Sequence, residues 1–112
     1  MNDTTLANLR ALEKDLGPEF LTELLDLYFN DTKSLLSQLE EAVKAADTSS
    51  IAQIAHSIKG SSANLRMEQM AEVSARIERL AKAGKVGDSQ ALFPELEREF
   101  KDVSKILEPQ PR

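Results

Sequence analysis

Apolar side chains recur every three or four residues along most of the chain, and this period constrains the fold more than any other feature. Over residues 18–46 the repeating positions hold Leu, Phe, Tyr and Val. That spacing places them on one side of an α-helix. No stretch alternates between apolar and polar residues as a half-buried β-strand would. The sequence therefore predicts an all-α protein.

Turn-forming residues divide this pattern into helical segments. Gly17 suits the end of a short first helix, and Pro18 suits the first turn of the next. Thr4 or Thr5 would cap the first helix. Four longer helices are predicted, over residues 18–46, 50–65 and 68–83 and from Asp88 or Pro94 to near Pro109. Within the second segment, the polar run from Asn30 to Thr32 marks a candidate bend.

Four long helices joined by short connections favour an antiparallel up-down-up-down four-helix bundle. The first segment then adds a short N-terminal helix across one end. A length of 112 residues suits a single domain over residues 1–112. Burial of the Leu and Ile stripes must hold such a bundle together, because short amphipathic helices are marginally stable alone.

Charge and composition exclude several classes of function. The net charge is −5 and no basic run is present, which argues against binding to nucleic acid or anionic membranes. The chain has no Cys and one His, so disulfides and the common zinc motifs are excluded. No apolar run reaches the roughly 18 residues of a membrane span, and the N-terminus lacks a signal-peptide pattern. We therefore expect a cytoplasmic location.

The single histidine, His56, is predicted to lie outside the buried stripe of the third segment. Its helical neighbours are small or polar, so the imidazole should be accessible to solvent. Gly60, one turn away, costs about 1 kcal/mol relative to Ala in a helix. The missing side chain would let another molecule's backbone approach the imidazole closely. Lys59 would place beside it a compact positive charge that suits a phosphoryl group.

An antiparallel hairpin of the third and fourth segments, about residues 50–83, predicts what faces the histidine. If the turn is centred near Met67, Glu78 lies opposite His56. Its carboxylate would accept a hydrogen bond from Nδ1–H, leave Nε2 as the nucleophile and stabilise an imidazolium. Gln53 is a second candidate for orienting the ring.

Each of these residues has a simpler interpretation when it is taken alone. A single surface histidine is more often inert than functional, and Lys59 alone would be a solvated charge. Gly60 could be a close helix contact, and Glu78 could form only weak local ion pairs with its arginine neighbours. Their combination at these spacings on one face makes chance a poorer explanation.

The run from His56 to Leu65, HSIKGSSANL, resembles the phosphorylation motif of histidine-containing phosphotransfer (HPt) domains of bacterial phosphorelays. That motif reads roughly H-x-[LI]-K-G-[SA]-[SA]-x-x-[LI]-G. The Leu-rich second segment and the closing Leu/Phe helix also look like this family. One position departs: the family usually has Gly in the turn between the two motif helices, where this chain has Arg66. Glu78 falls where the family commonly has Gln or Glu.

The resemblance implies a phosphorelay intermediate without kinase activity of its own. His56 would accept a phosphoryl group from a receiver-domain phospho-aspartate and pass one to another receiver, while Lys59 balances the phosphoryl charge. The implied partners are response-regulator receivers and/or a hybrid histidine kinase, and the chain would be a monomer. Mg²⁺ would belong to the receiver, so no cofactor or metal of its own is expected.

A docking rim of exposed apolar residues is also expected around the histidine. Leu21, Leu25 and Ala63 are candidates, although each could equally belong to the core.

Other functions compete with this one. The same bundle could bind a receiver or kinase without carrying phosphate. A generic structural or dimerisation domain would leave the cost of Gly60 unexplained, and it would fit a buried His56 far from Glu78. An independent hydrolytic enzyme is least favoured, because no catalytic triad, metal cluster or Gly-rich phosphate loop is visible.

Overall fold

The structure, a computed structural model, describes residues 3–107, with side chains over residues 6–105, and five helices make up this part of the chain. In chain order they are α1 (Asp3–Leu16), α2 (Pro18–Lys44), α3 (Thr48–Asn64), α4 (Glu68–Lys82) and α5 (Val86–Leu107). Each helix from α2 onward packs against the next, and α2 also contacts α5, which closes the bundle. The predicted all-α bundle with an additional N-terminal helix is confirmed.

The break between α1 and α2 lies where the sequence placed it. Gly17 has a positive φ of 87°, a conformation that glycine adopts at little cost, and Pro18 begins α2. The described part of α1 already starts at Asp3, so Thr4 and Thr5 lie within the helix and not ahead of it as caps.

The first helix reaches the turn between α3 and α4. The side-chain amide of Asn8 donates to the Arg66 carbonyl at 3.2 Å and to Glu68 Oε1 at 3.3 Å. α1 therefore covers the end of the bundle where this turn lies, as the sequence predicted.

Two predictions about α2 and α3 need correction. α2 continues as one helix through Asn30 to Thr32, so the polar run does not interrupt it, and Thr32 is buried in the core. α3 begins two residues earlier than predicted, at Thr48. Asp47 caps it by accepting hydrogen bonds from the backbone N–H of Ser50 at 3.2 Å and from its hydroxyl at 2.8 Å.

The last helix also starts earlier than predicted. α5 begins at Val86, before both Asp88 and Pro94, and Pro94 lies inside it. A proline there removes one backbone donor, yet the helix continues on both sides. The side chain of Gln90 ties this first part of α5 to α2 by donating to the Val43 carbonyl at 2.6 Å.

The core contains the apolar stripes that the helical period predicted. In α3 the buried residues are Ile51, Ala52, Ala55, Ile58 and Ser62, and Leu65 is buried directly after the helix. One buried hydrogen bond links α2 to α3, between the Tyr28 hydroxyl and Ser62 Oγ at 2.8 Å. Burial raises the pKa of the Tyr28 phenol, so the hydroxyl stays neutral.

The ends of α2, α3 and α4 share a backbone motif, in which a residue with positive φ is followed by a backbone N–H that bonds back to the helix. These residues are Ala46 (φ 53°), Arg66 (φ 58°) and Gly84 (φ 76°). In each motif the next backbone N–H bonds to the carbonyl five residues earlier, at 2.8 to 3.0 Å. Arg66 therefore holds, without glycine, the left-handed conformation that glycine favours.

Candidate functional site

His56 lies on the outer side of α3, beside α4. Its side chain is 65% exposed, and its Nδ1 atom is 2.9 Å from Glu78 Oε2. Ala52 and Gln53, one turn earlier on α3, line the groove next to the ring. The helix hairpin thus holds one edge of the imidazole and leaves the rest of the side chain accessible.

Glu78 is the centre of the site. It lies on α4 with its side chain only 6% exposed, and it accepts contacts from three donors. Lys59 Nζ lies 2.7 Å from Oε1, whereas His56 Nδ1 and Lys82 Nζ each lie 2.9 Å from Oε2. This arrangement satisfies a buried carboxylate, which would otherwise be destabilising.

These contacts fix the charge of Glu78. The hydrogen bond from Lys59 lowers its pKa most, burial opposes this, and Lys82 and His56 lower it further, to about 2. The carboxylate is therefore ionised at neutral pH and can only accept hydrogen bonds. Nδ1 of His56 must therefore carry the hydrogen that Glu78 accepts, which in the neutral imidazole leaves Nε2 as the ring nitrogen with a lone pair.

Gly60 has no packing role within the described part of the chain. The residue is exposed, and a Cβ atom placed on it would meet no heavy atom within 4 Å. Its φ is not positive, so the backbone does not require glycine either. The space beside His56 is therefore open to another molecule.

Gln53, His56 and Glu78 line one groove, and Gly60 lies one turn beyond His56 on α3. The arrangement differs from the sequence-based prediction in two ways. Lys59 is hydrogen-bonded to Glu78, so its ammonium reaches the imidazole through a shared carboxylate. Gln53 lines the groove, but the Nδ1 contact belongs to Glu78. The roles of these residues in transfer stay predictions.

Lys82 is the site residue that sequence reasoning missed. It follows Glu78 by four residues, and Glu followed by Lys at this spacing forms ion pairs on helices. That spacing was the available signal. The residue stands in the last turn of α4, where a positive charge also suits the helix dipole.

The predicted docking rim is wrong at Leu21 and only partly exposed at Leu25. Leu21 is buried in the core, and Leu25 is partly buried against it, whereas Ala63 is exposed. The exposed large apolar residues of the described chain lie elsewhere: Leu16, Phe20 and Leu27, at 40%, 51% and 61% exposure.

Phe20 and Leu27 share one side of α2, because they are seven residues apart. Asp31, one turn after Leu27, lines a groove with Ser57 of α3. This side of α2 therefore borders the face of α3 that carries His56.

The geometry argues against a purely structural domain. That alternative fits a buried His56 distant from Glu78, and the structure has an exposed His56 in contact with Glu78.

Among residues 6–105 no group of three side chains suits a metal ion. None of the described helices is long and apolar enough to cross a membrane.

The comparisons with known proteins agree with one another. Residues 23–106 match the Hpt domain family. The phosphorelay intermediate protein rdeA of Dictyostelium discoideum is 35% identical over 89 residues, which cover 80% of this chain and 35% of that protein. Histidine-containing phosphotransfer protein 4 of Arabidopsis thaliana is 25% identical over 108 residues, covering 95% of this chain and 85% of that protein.

A solved structure has the same fold. Histidine-containing phosphotransfer protein B (HptB) from Pseudomonas aeruginosa PAO1 superposes with a TM-score of 0.83 at 29% identity, covering 90% of this chain and 87% of that one. The chain spans about a third of the Dictyostelium protein, and the relatives extend the resemblance beyond bacteria. Because its residues 23–106 match the Hpt domain family, the chain belongs to that family.

Proposed function

We propose that this protein carries a phosphoryl group on His56 between receiver domains of a phosphorelay. The observation that carries the proposal is the exposed imidazole whose Nδ1–H is held by the ionised carboxylate of Glu78. Such a pair fixes the tautomer and presents Nε2 as a nucleophile on a rigid helix. Membership of the Hpt family supports the same function.

The transfer step follows from this tautomer. The Nε2 lone pair attacks the phosphorus of a receiver aspartyl phosphate, an N–P bond forms, and the P–O bond to the aspartate breaks. The aspartate leaves as a carboxylate, and His56 becomes a phosphorylated imidazolium that keeps its Nδ1 proton. No proton has to leave during the step. Glu78, 2.9 Å from Nδ1, stabilises the positive ring.

The two lysines beside Glu78 would offset the negative charge of the phosphoryl group. Lys59 and Lys82 both contact the carboxylate that also binds the ring, and we propose that their ammonium groups offset the charge of the transferred phosphoryl group. Phosphoryl transfer depends mostly on such positioning and charge stabilisation. Lys59 therefore supports both Glu78 and the phosphoryl group.

The surface around His56 suits a protein partner. Gly60 leaves open space one turn from the imidazole, and Phe20 and Leu27 expose apolar surface on the adjoining side of α2. We propose that a receiver domain docks over this face, with its own Mg²⁺ and acidic pocket above His56. A monomeric state, a cytoplasmic location and the lack of independent kinase activity stay predictions.

A phosphotransfer assay tests the function. The chain is incubated with each phosphorylated receiver of its host, and acid-labile label on the chain is measured. We expect label on the wild type, none on His56→Gln, and slower labelling of Lys59→Ala. Lys44→Ala is the matched control, since Lys44 is an exposed lysine whose one salt bridge among the described side chains is with Glu40, at 3.5 Å. Binding of a receiver to His56→Ala without phosphohistidine on the wild type would instead support the interaction module.

Gly60 gives a second test of the same face. Gly60→Ala should stabilise the helix by about 1 kcal/mol, because the added methyl meets no heavy atom of the described residues within 4 Å. Gly60→Glu should fold as well but transfer more slowly, since its bulk and charge would meet the incoming receiver. Destabilisation by Gly60→Ala in urea titrations, or transfer by Gly60→Glu at the wild-type rate, would refute this explanation.

A further inference from the structure

A polar groove between α2 and α3 adjoins His56 on the side away from α4. Its volume is about 420 Å³, and it is lined by Asp31, Ser34, Leu35, Gln38, Ser57 and Ser61. We propose that this groove receives a lysine or arginine side chain of the docked receiver, with Asp31 as its anchor. The inference rests on the proposed function and names the chemistry that selects the partner.

The position of the groove suits a second contact point. Ser57 directly follows His56 along α3, and Gly60 stands between Ser57 and Ser61 in the sequence. A partner that approaches the imidazole over Gly60 therefore also covers the groove. The charged cluster of Lys59, Glu78 and Lys82 lies on the opposite flank of α3, toward α4.

Hydrogen bonding within the groove leaves mainly acceptors for a partner. The Ser57 hydroxyl donates to the Gln53 carbonyl at 3.3 Å. The Ser61 hydroxyl lies 3.2 Å from the carbonyls of both Ser57 and Ile58. With their protons directed at their own helix, both hydroxyls present oxygen lone pairs to the groove.

The α2 side of the groove has the same character. Gln38 directs an amide N–H to Ser34 Oγ at 3.3 Å, which leaves its carbonyl oxygen as an acceptor. Asp31 is exposed, and no salt bridge to it occurs among the side chains of residues 6–105. The Ser34 hydroxyl and the second amide N–H of Gln38 are the remaining donors there. The groove therefore offers one negative charge and several neutral acceptors, and its lining residues include no cation.

A ligand for such a groove must carry a positive charge and several donors. A lysine ammonium has three N–H donors and an arginine guanidinium has five, and neither has an acceptor. An acidic or neutral side chain would leave Asp31 unpaired at the interface, which disfavours receivers that present one there. Because the α4 flank carries the lysines, the two flanks together also set the orientation of the receiver on α3.

The test compares Asp31→Asn with Asp26→Asn, an exposed acid on the same helix that does not line the groove. Transfer is measured from the receiver that labels the wild type best. At low salt we expect Asp31→Asn to raise the KM about three- to five-fold, and Asp26→Asn to leave it unchanged. The difference should vanish near 1 M salt, where the Debye length falls to about 3 Å.

Labelling with phosphoramidate, a small phosphodonor, separates the inference from the proposed function. Because phosphoramidate makes no contact with the groove, Asp31→Asn should label His56 at the wild-type rate. Equal KM values for Asp31→Asn and Asp26→Asn would overturn the inference and leave the proposed function intact. A difference between their KM values that persists near 1 M salt would also overturn the inference. If no receiver labels the wild type at all, the proposed function itself fails.

Discussion

Replacing Arg66 by glycine should stabilise the protein. Arg66 follows α3 with a φ of 58°, and its N–H and the next backbone N–H close the end of the helix by bonding to carbonyls of α3. A side chain in this left-handed conformation brings Cβ close to the following carbonyl oxygen. Glycine removes that contact and keeps every backbone hydrogen bond, including the one that the Arg66 carbonyl accepts from Asn8.

The expected gain is about 1 kcal/mol. The left-handed conformation costs a residue with a Cβ about 1–2 kcal/mol. Glycine offsets part of this gain, because its unfolded chain has greater freedom by about 0.4–1 kcal/mol. For a chain of this length, 1 kcal/mol corresponds to a rise in Tm of about 4 °C.

The measurement is urea denaturation followed by far-ultraviolet circular dichroism, with the m-value held as a check on compactness. The other two helix ends provide matched controls. Ala46→Gly, at φ 53°, should also stabilise, and Gly84→Ala, at φ 76°, should destabilise. The added methyl of Gly84→Ala meets no atom of the described residues within 4 Å, so we expect its effect to come from the backbone conformation.

The reasoning requires that Arg66→Gly and Ala46→Gly both raise the urea midpoint. If Arg66→Gly lowers the midpoint while Ala46→Gly raises it, the arginine side chain stabilises the turn and the conformational argument fails at this position. If both glycine variants are less stable than the wild type, the reasoning fails altogether.

Two further predictions concern buried polar contacts. Because the folded-state pKa of Glu78 is about 2, below its ordinary value of 4.5, its contribution to stability is present above pH 4.5 and is lost toward pH 2. In urea titrations the stability gap between wild type and Glu78→Gln should therefore narrow over this range; a constant gap would contradict it. Tyr28→Phe should cost about 1–2 kcal/mol because it leaves buried Ser62 without its partner, and adding Ser62→Ala should recover part of this. Strictly additive effects in this double-mutant cycle would show that the hydrogen bond does not couple the two residues.

The sequence predicted the site better than it predicted the helix ends. A short turn near Met67 leaves little freedom in the pairing of α3 with α4, so counting along the hairpin sufficed to place Glu78 opposite His56. The start of α5 lacked such a constraint. Asp88 and Pro94 both resemble helix starts, and only packing of the preceding turn, including the contact of Gln90 with α2, extends the helix back to Val86.

The exposed apolar residues were harder to predict, for a physical reason. Leu and Phe residues occupy several sides of the first half of α2, so the helical period alone cannot predict which of them lie outside the core. Leu21 faces the bundle, whereas Phe20 and Leu27 do not. That distinction depends on how α2 is rotated about its axis, which is set by long-range contacts such as Tyr28 with Ser62.

The shared carboxylate of Glu78 also limits how α3 and α4 can slide past each other. His56 and Lys59 lie three residues apart on α3, and both bind the same side chain of α4. Apolar stripes that repeat every turn would tolerate a shift by one turn, about 5.4 Å, but that shift would break both polar contacts at once. The Glu78 carboxylate therefore fixes the axial alignment of α3 and α4, and with it the position of the imidazole along the hairpin.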